Sequence, residues 1–135
     1  MMNVALSGVA PERTVLVVDD NVQWGECLRE YFEMEGFEVL LAENGKVALD
    51  ILSHCRPNII FTDMIMPETE GFEFIMAVRK NDKNIPIIAM SGGLVGRAEY
   101  YLDVAKKAGA NFCLDKPFSW TTLDDVLSEY LPQPN

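Results

Sequence analysis

Five residues with side chains suited to metal or phosphoryl chemistry stand at the ends of apolar runs that we predict to be strands. Asp19 and Asp20 follow the first run of the chain, and Asp63 closes the third. Ser91 follows the fourth run and Lys116 the fifth. Any one of these Asp residues alone would be read as a polar turn residue that caps the next helix. The coincidence of all five with strand ends favours a functional site.

Three carboxylates in one small site repel one another unless some are protonated or a cation neutralises them. Mg²⁺ requires near-octahedral oxygen ligation and keeps several waters, so it suits such a site, with Mn²⁺ as a substitute. Lys116 offers a compact positive charge and Ser91 a hydroxyl donor, and both groups suit phosphoryl oxygens. The set favours phosphoryl chemistry, with these two side chains holding a phosphorylated Asp63.

The strand ends belong to a regular alternation of short apolar runs and amphipathic segments. We predict strands over 14–18, 37–41, 59–62, 85–90 and 111–114, and helices over 22–35, 46–52, 72–80, 97–108 and 121–130. Gly36 stands where a helix C-cap needs a positive φ. Strict alternation with short connections predicts an α/β fold, with a five-stranded parallel sheet covered by helices on both faces. The functional crevice of such a sheet lies beyond the carboxyl ends of the strands.

Length and composition indicate one domain. The chain has 135 residues, of which 49% are apolar, enough for a single buried core. We predict a disordered N-terminal leader over 1–12, the domain over 13–131 and a short tail over 132–135. With so few residues after the last helix, we expect a stand-alone regulator rather than a domain that carries its own output module.

Charge and cysteine usage exclude several functions. The net charge of −10 repels nucleic acid and anionic lipid, so we expect neither as a direct partner. No apolar run approaches the ~20 residues of a membrane span. The three cysteines are far apart, form no C-x-x-C pair, and have only one histidine to complete a metal site. These features predict a reducing, cytoplasmic setting without disulfides or zinc.

Several motifs resemble those of the receiver domains of two-component response regulators. The resemblance covers about residues 13–131, and its motifs are VVDDN at 17–21, TDMIMP at 62–67, MSG at 90–92, AGA at 108–110 and DKPF at 115–118. It implies the doubly wound (βα)5 flavodoxin-like receiver fold, with strand order 2-1-3-4-5. Periodicity alone leaves that order open.

The resemblance also implies a role for each acidic residue. Asp63 would accept the phosphoryl group. Mg²⁺ would be held by Asp20, by Asp63, by the backbone carbonyl of Ile65 and, through water, by Asp19. Such a domain modifies itself and has weak autophosphatase activity, so we expect a signalling protein rather than a turnover enzyme.

For the remaining motif residues the resemblance implies phosphate contacts from Lys116 and Ser91, and a cis peptide bond before Pro117. The phosphodonor would be a histidine kinase or a histidine phosphotransfer protein. The output would be phosphorylation-dependent binding of a downstream protein through the fourth helix, fifth strand and fifth helix.

The chain departs from the family pattern at three places. Receivers usually carry Tyr or Phe three residues before the lysine, where this chain has Cys113. Phe112 alternates to the other side of the strand, and we predict it in the core rather than as a substitute switch. The glycine-rich segment 92–96 is a candidate to carry the signal instead. Ile65 offers no polar group to orient water, which predicts slow self-dephosphorylation.

Three other functions compete with this interpretation. A haloacid-dehalogenase-type phosphohydrolase needs a second Asp two residues after the nucleophile, where this chain has Ile65. A flavodoxin-type module needs a phosphate-binding loop after the first strand, where Asp19 and Asp20 would repel the phosphate. The main alternative is a phosphorylation-independent interaction domain of the same fold.

Overall fold

The computed structural model describes residues 13–64, 71–92 and 98–131, and for residues 98–102 it describes the backbone alone. Five strands alternate with five helices over these residues. They are β1 (Thr14–Val18), α1 (Val22–Met34), β2 (Glu38–Ala42), α2 (Gly45–Leu52), β3 (Ile59–Asp63), α3 (Gly71–Asn81), β4 (Ile87–Gly92), α4 (Ala98–Ala108), β5 (Phe112–Lys116) and α5 (Trp120–Tyr130). The predicted order of elements is confirmed, and no end is shifted by more than two residues.

The strands form one parallel sheet in the order β2-β1-β3-β4-β5. Because the order reverses beside β1, the carboxyl ends of β1 and β3 adjoin and frame a crevice. The register pairs Val18 with Thr62, and Asp63 with Met90. The doubly wound fold and its strand order are therefore as the resemblance implied.

A core lies on each face of the sheet. On one face, Val15, Val17, Ile59 and Phe61 pack with apolar residues of α1 and α5. On the other face, the alternate strand residues pack against α2, α3 and α4. The strands are apolar on both sides for this reason, and β3 is buried along its whole length.

Local signals set the ends of the helices. The Asn21 side chain accepts a hydrogen bond from the backbone N–H of Trp24 at 3.0 Å, which caps α1 beside Asp20. Ser119 caps α5 in the same way by accepting from the Thr122 N–H. Gly36 has a φ of 91°, as predicted for the residue that ends the first helix.

The prediction that Phe112 lies in the core is wrong. Its side chain is 38% exposed. Phe112 is the first residue of β5, which is an edge strand with a neighbour on one side only, so the sheet cannot cover the ring completely.

Other expectations concern the surface and the ends. Cys27, Cys55 and Cys113 are all free thiols. Among the described residues, no helix is long and apolar enough to cross a membrane. The predicted leader over 1–12 and tail over 132–135 lie outside the described residues.

Candidate functional site

Three carboxylates converge at the carboxyl edge of the sheet. Asp19 and Asp20 follow β1 and Asp63 ends the neighbouring β3, so the parallel pairing of these strands brings them together. Each offers an oxygen that lies within 4.8 Å of those of the other two. Asp19 and Asp63 are buried, whereas Asp20 is exposed. This is the acidic cluster that the strand ends predicted.

Lys116 reaches this cluster from the end of β5. Its Nζ donates to Asp19 Oδ2 at 2.5 Å and lies 3.4 Å from Asp63 Oδ1. Only 15% of the lysine side chain is exposed. The peptide bond between Lys116 and Pro117 is cis, as the resemblance implied. One ammonium group therefore serves two carboxylates in a mostly buried setting.

The two oxygens of Asp19 are both engaged. Oδ1 accepts from the backbone N–H of Asn21 at 2.9 Å, while Oδ2 accepts from Lys116. The oxygens of Asp63 and of the exposed Asp20 make fewer hydrogen bonds to described protein groups than those of Asp19 do. This division is compatible with a direct metal contact for Asp20 and Asp63 and a water-mediated one for Asp19.

Burial disfavours the ionised form of Asp63. The pKa of its carboxyl is raised to about 6, and desolvation is the main cause. The attraction of Lys116 opposes this rise, whereas repulsion from Asp19 and Asp20 adds to it. The pair with Lys116 therefore offsets only part of the electrostatic cost of this site. A further positive charge beside Asp63 would stabilise the ionised carboxylate and offset the rest of this cost.

Aromatic rings flank the lysine. The Lys116 Nζ lies 5.4 Å from the centroid of the Trp24 ring, within reach of a cation–π attraction. Phe118 packs edge-on against Trp24 with ring centroids 5.1 Å apart. Trp24 of α1 therefore lies beside the site lysine, a contact that the pattern of strand ends did not indicate.

Ser91 faces a partner that was not predicted. It lies in β4, one residue beyond the Met90 that pairs with Asp63. Its Oγ donates to Asp115 Oδ1 at 2.9 Å, and the residue is 6% exposed. The structure therefore brings Asp19, Asp20, Asp63 and Lys116 together in one site, but it shows the Ser91 hydroxyl bonded to Asp115 instead. The feature of the sequence that could have indicated this partner is the position of Asp115, directly before Lys116 at the end of the fifth strand.

Cys113 occupies the position where an aromatic residue is usual. It is half-buried, and burial raises the pKa of its thiol, while the nearby Ser91 hydroxyl acts in the opposite direction. Two other predictions concern the Ile65 carbonyl and the glycine-rich segment. Ile65 and residues 93–96 lie outside the described residues.

A close backbone contact holds the end of β3. The N–H of Gly71, the first residue of α3, donates to the Met64 carbonyl at 3.0 Å. A Cβ at Gly71 would stand 2.3 Å from the carbonyl oxygen of Asp63. Glycine is required at position 71 because the first residue of α3 lies against the backbone of Asp63, the candidate phosphoacceptor, and leaves no room for a side chain.

Fold and site together define a class, namely doubly wound domains with an acidic cluster and a lysine at the carboxyl edge of the sheet. A profile of the response regulator receiver domain family matches residues 15–128, and the chain belongs to this family.

Relatives and solved structures agree with this membership. Sporulation initiation phosphotransferase F of Bacillus subtilis is 33% identical over 118 residues, which cover 87% of this chain and 93% of that protein. The response regulator MprA of Mycolicibacterium vanbaalenii is 34% identical over 115 residues, covering 84% of this chain but 47% of that protein, so the chain spans about half its length. The chemotaxis protein CheY4 of Vibrio cholerae superposes with a TM-score of 0.80 and 31% identity, covering 90% of this chain and 100% of that one.

Proposed function

We propose that this receiver domain accepts a phosphoryl group on Asp63 from a histidine kinase or a histidine phosphotransfer protein. The observation that carries the proposal is the setting of Asp63, which is buried at a strand end, 3.4 Å from the Lys116 ammonium and beside two further carboxylates. The similar protein of Bacillus subtilis is called a phosphotransferase, which supports a role in phosphoryl transfer.

The residues present fit a Mg²⁺ ion, with Mn²⁺ as a substitute. Three carboxylates converge there, of which Asp19 and Asp63 pair with the Lys116 ammonium, and burial keeps the pKa of Asp63 raised despite that pair. Oxygen ligands of this kind suit a hard divalent cation. Asp20 and Asp63 would hold the ion directly, Asp19 would act through water, and the Ile65 carbonyl would complete the protein ligands. When bound, Mg²⁺ supplies positive charge that offsets the charge on the transferring group.

The chain's own groups then have distinct tasks. A carboxylate oxygen of Asp63 forms a bond to phosphorus while the bond from phosphorus to the donor's imidazole nitrogen breaks, and that nitrogen leaves with the electron pair. Lys116 stands where its ammonium can pair with a phosphoryl oxygen instead of a carboxylate. Ser91 would donate its hydroxyl to the same group once it leaves Asp115.

The product is a signal rather than a released metabolite. The domain modifies itself and loses the phosphoryl group by weak autophosphatase activity, so we do not class it as a turnover enzyme. The added group brings nearly two negative charges and new acceptor oxygens. The response that we propose is binding of a downstream protein through α4, β5 and α5 in the cytoplasm, where the free thiols stay reduced.

The experiment uses acetyl phosphate as the phosphodonor. The wild-type protein and an Asp63→Asn variant are incubated with it in the presence of Mg²⁺ or EDTA, and intact mass is read for one added phosphoryl group. We expect a Mg²⁺-dependent adduct on the wild-type protein alone. An adduct on the variant would place the acceptor elsewhere. No adduct with any phosphodonor, including a phosphorylated histidine phosphotransfer protein, would favour the phosphorylation-independent interaction domain.

A further inference from the structure

The hydroxyl of Ser91 is committed to a carboxylate on the next strand. Its Oγ donates to Asp115 Oδ1 at 2.9 Å. The register of β4 and β5 pairs these two residues directly, so the sheet itself places their side chains side by side on one face. Ser91 is 6% exposed, which leaves little water to compete for its proton. Asp115 is exposed, so its carboxylate can lose this bond and remain solvated.

A serine hydroxyl has one proton to donate. A phosphoryl group on Asp63 and the carboxylate of Asp115 are both charged acceptors, and a hydrogen bond to either is stronger than one to a neutral group. Ser91 can satisfy only one of them at a time. Any move of the hydroxyl toward the phosphoryl group must therefore break the bond to Asp115.

We propose that Asp115 is a positioning residue that holds the Ser91 hydroxyl away from Asp63 in the unphosphorylated protein. It thereby raises the concentration of phosphodonor needed for phosphorylation. The inference rests on the proposed function, because it assumes that Asp63 accepts the phosphoryl group. It goes further by assigning a role to a residue outside the acidic cluster.

The surroundings of the pair fit such a restraint. Cys113 lies two residues before Asp115, on the same face of β5, and its half-buried side chain packs against the core on that face of the sheet. The small thiol stands where a bulky ring is usual in the family. Ser91, Cys113 and Asp115 therefore lie on the same face of the sheet, the face that α4 covers, and the bond between Ser91 and Asp115 joins the ends of β4 and β5 there.

The test measures the acetyl phosphate concentration that phosphorylates half of the protein at steady state in Mg²⁺, by intact mass. Loss of one hydrogen bond to a charged group corresponds to a change on the order of ten-fold. We therefore expect this concentration to fall about ten-fold in Asp115→Ala. A smaller fall is expected in Asp115→Asn, because its amide oxygen is a neutral acceptor. Asp125→Ala removes the same charge from an exposed position on α5 and should leave the value unchanged.

A double variant separates positioning from charge. If Asp115 acts through the serine hydroxyl, its replacement by alanine should have no further effect in a Ser91→Ala background. A ten-fold fall that persists there would show that only the negative charge of Asp115 matters, and would overturn the proposal. The carbon-13 shift of the Asp115 carboxyl group in the wild-type protein gives a second readout, since it should move when the hydroxyl departs on phosphorylation. An unchanged shift would also overturn the proposal.

The proposed function and the role of Asp115 can be refuted separately. If the wild-type protein forms no adduct with any donor, the proposed function is refuted and this inference falls with it. If the wild-type protein forms the adduct on Asp63 but Asp115→Ala needs the same acetyl phosphate concentration, only the role of Asp115 is refuted. Thermal unfolding of each variant checks that the fold is intact.

Discussion

Replacement of Asp63 by Asn should stabilise the metal-free protein above pH 6. In the folded wild-type protein, burial raises the pKa of Asp63 from its usual 3.8 to about 6, even with Lys116 nearby. Asparagine has nearly the shape of the protonated acid but carries no charge at any pH. The substitution therefore removes the electrostatic cost of ionising a buried carboxyl group and keeps the packing.

The size of the effect follows from the two pKa values. A rise from 3.8 to about 6 corresponds to about 3 kcal/mol of unfolding free energy. Between these values the folded wild-type protein binds more protons at Asp63 than the unfolded chain does, so its stability falls as the pH rises. We expect Asp63→Asn to match the wild-type protein below about pH 4 and to exceed it by about 3 kcal/mol above about pH 7.

Urea unfolding in EDTA at pH 4, 5, 6 and 8 measures this difference. Asp125→Asn, which makes the same change of charge on an exposed part of α5, is the control and should show no comparable trend. Addition of Mg²⁺ should stabilise the wild-type protein more than the Asp63→Asn variant, because the variant lacks one carboxylate ligand. The reasoning is refuted if the advantage of the variant is the same at pH 4 and pH 8, or if the variant is the less stable protein at pH 8.

Three further substitutions test other contacts. Gly71→Ala should lower the unfolding free energy by about 2 kcal/mol or more, since its Cβ would stand 2.3 Å from the Asp63 carbonyl oxygen. Ile65→Asn should speed loss of the phosphoryl group on the order of ten-fold, measured by the decay of the adduct mass, because an amide can orient the attacking water. Asp82→Asn should lose about 1 kcal/mol at pH 7 but less at pH 2.5 in urea unfolding, because a hydrogen bond from Arg56 lowers the pKa of Asp82 to about 2.

Each of these has its own control. Gly25→Ala is the match for Gly71, because its Cβ would meet the Leu41 methyl groups at ordinary distances of 3.8 and 3.9 Å, and it should keep stability unchanged or raise it by up to about 1 kcal/mol. Equal effects of the two glycine substitutions would contradict the close contact at the end of β3. An Ile65→Val variant should keep the wild-type decay rate, and equal decay in Ile65→Asn would contradict the water-orienting argument. The Asp82 prediction fails if its loss of stability is the same at both pH values.

Local patterns were sufficient to predict the elements and the acidic cluster with its lysine. Apolar runs of five or so residues and amphipathic segments have periods that depend on neighbouring residues alone, so β1 and α5 were placed within one residue of their observed bounds. Asp19, Asp20, Asp63 and Lys116 were found because strands of a parallel sheet end at the same edge. Their identification as a receiver site came from the resemblance of five short motifs.

Contacts between distant parts of the chain were beyond such patterns. Periodicity did not yield the strand order, because it records how each strand is buried and not which strands are neighbours. It also placed Phe112 in the core, since alternation gives the side of the sheet but not the exposure of an edge strand. The order of the strands and the exposure of an edge strand therefore depend on the sheet as a whole.

The partners of the polar side chains were likewise settled by folding. The sequence named Lys116 and Ser91 as phosphate contacts, but their hydrogen bonds to Asp19 and Asp115 depend on which strands adjoin and in which register. The raised pKa of Asp63 has the same origin, because desolvation requires the surrounding core and not merely the neighbouring residues. Residue types and spacing thus indicate which chemistry is available. Strand register and burial determine which charged groups meet, and a local pattern does not contain them because each depends on residues far apart in the chain.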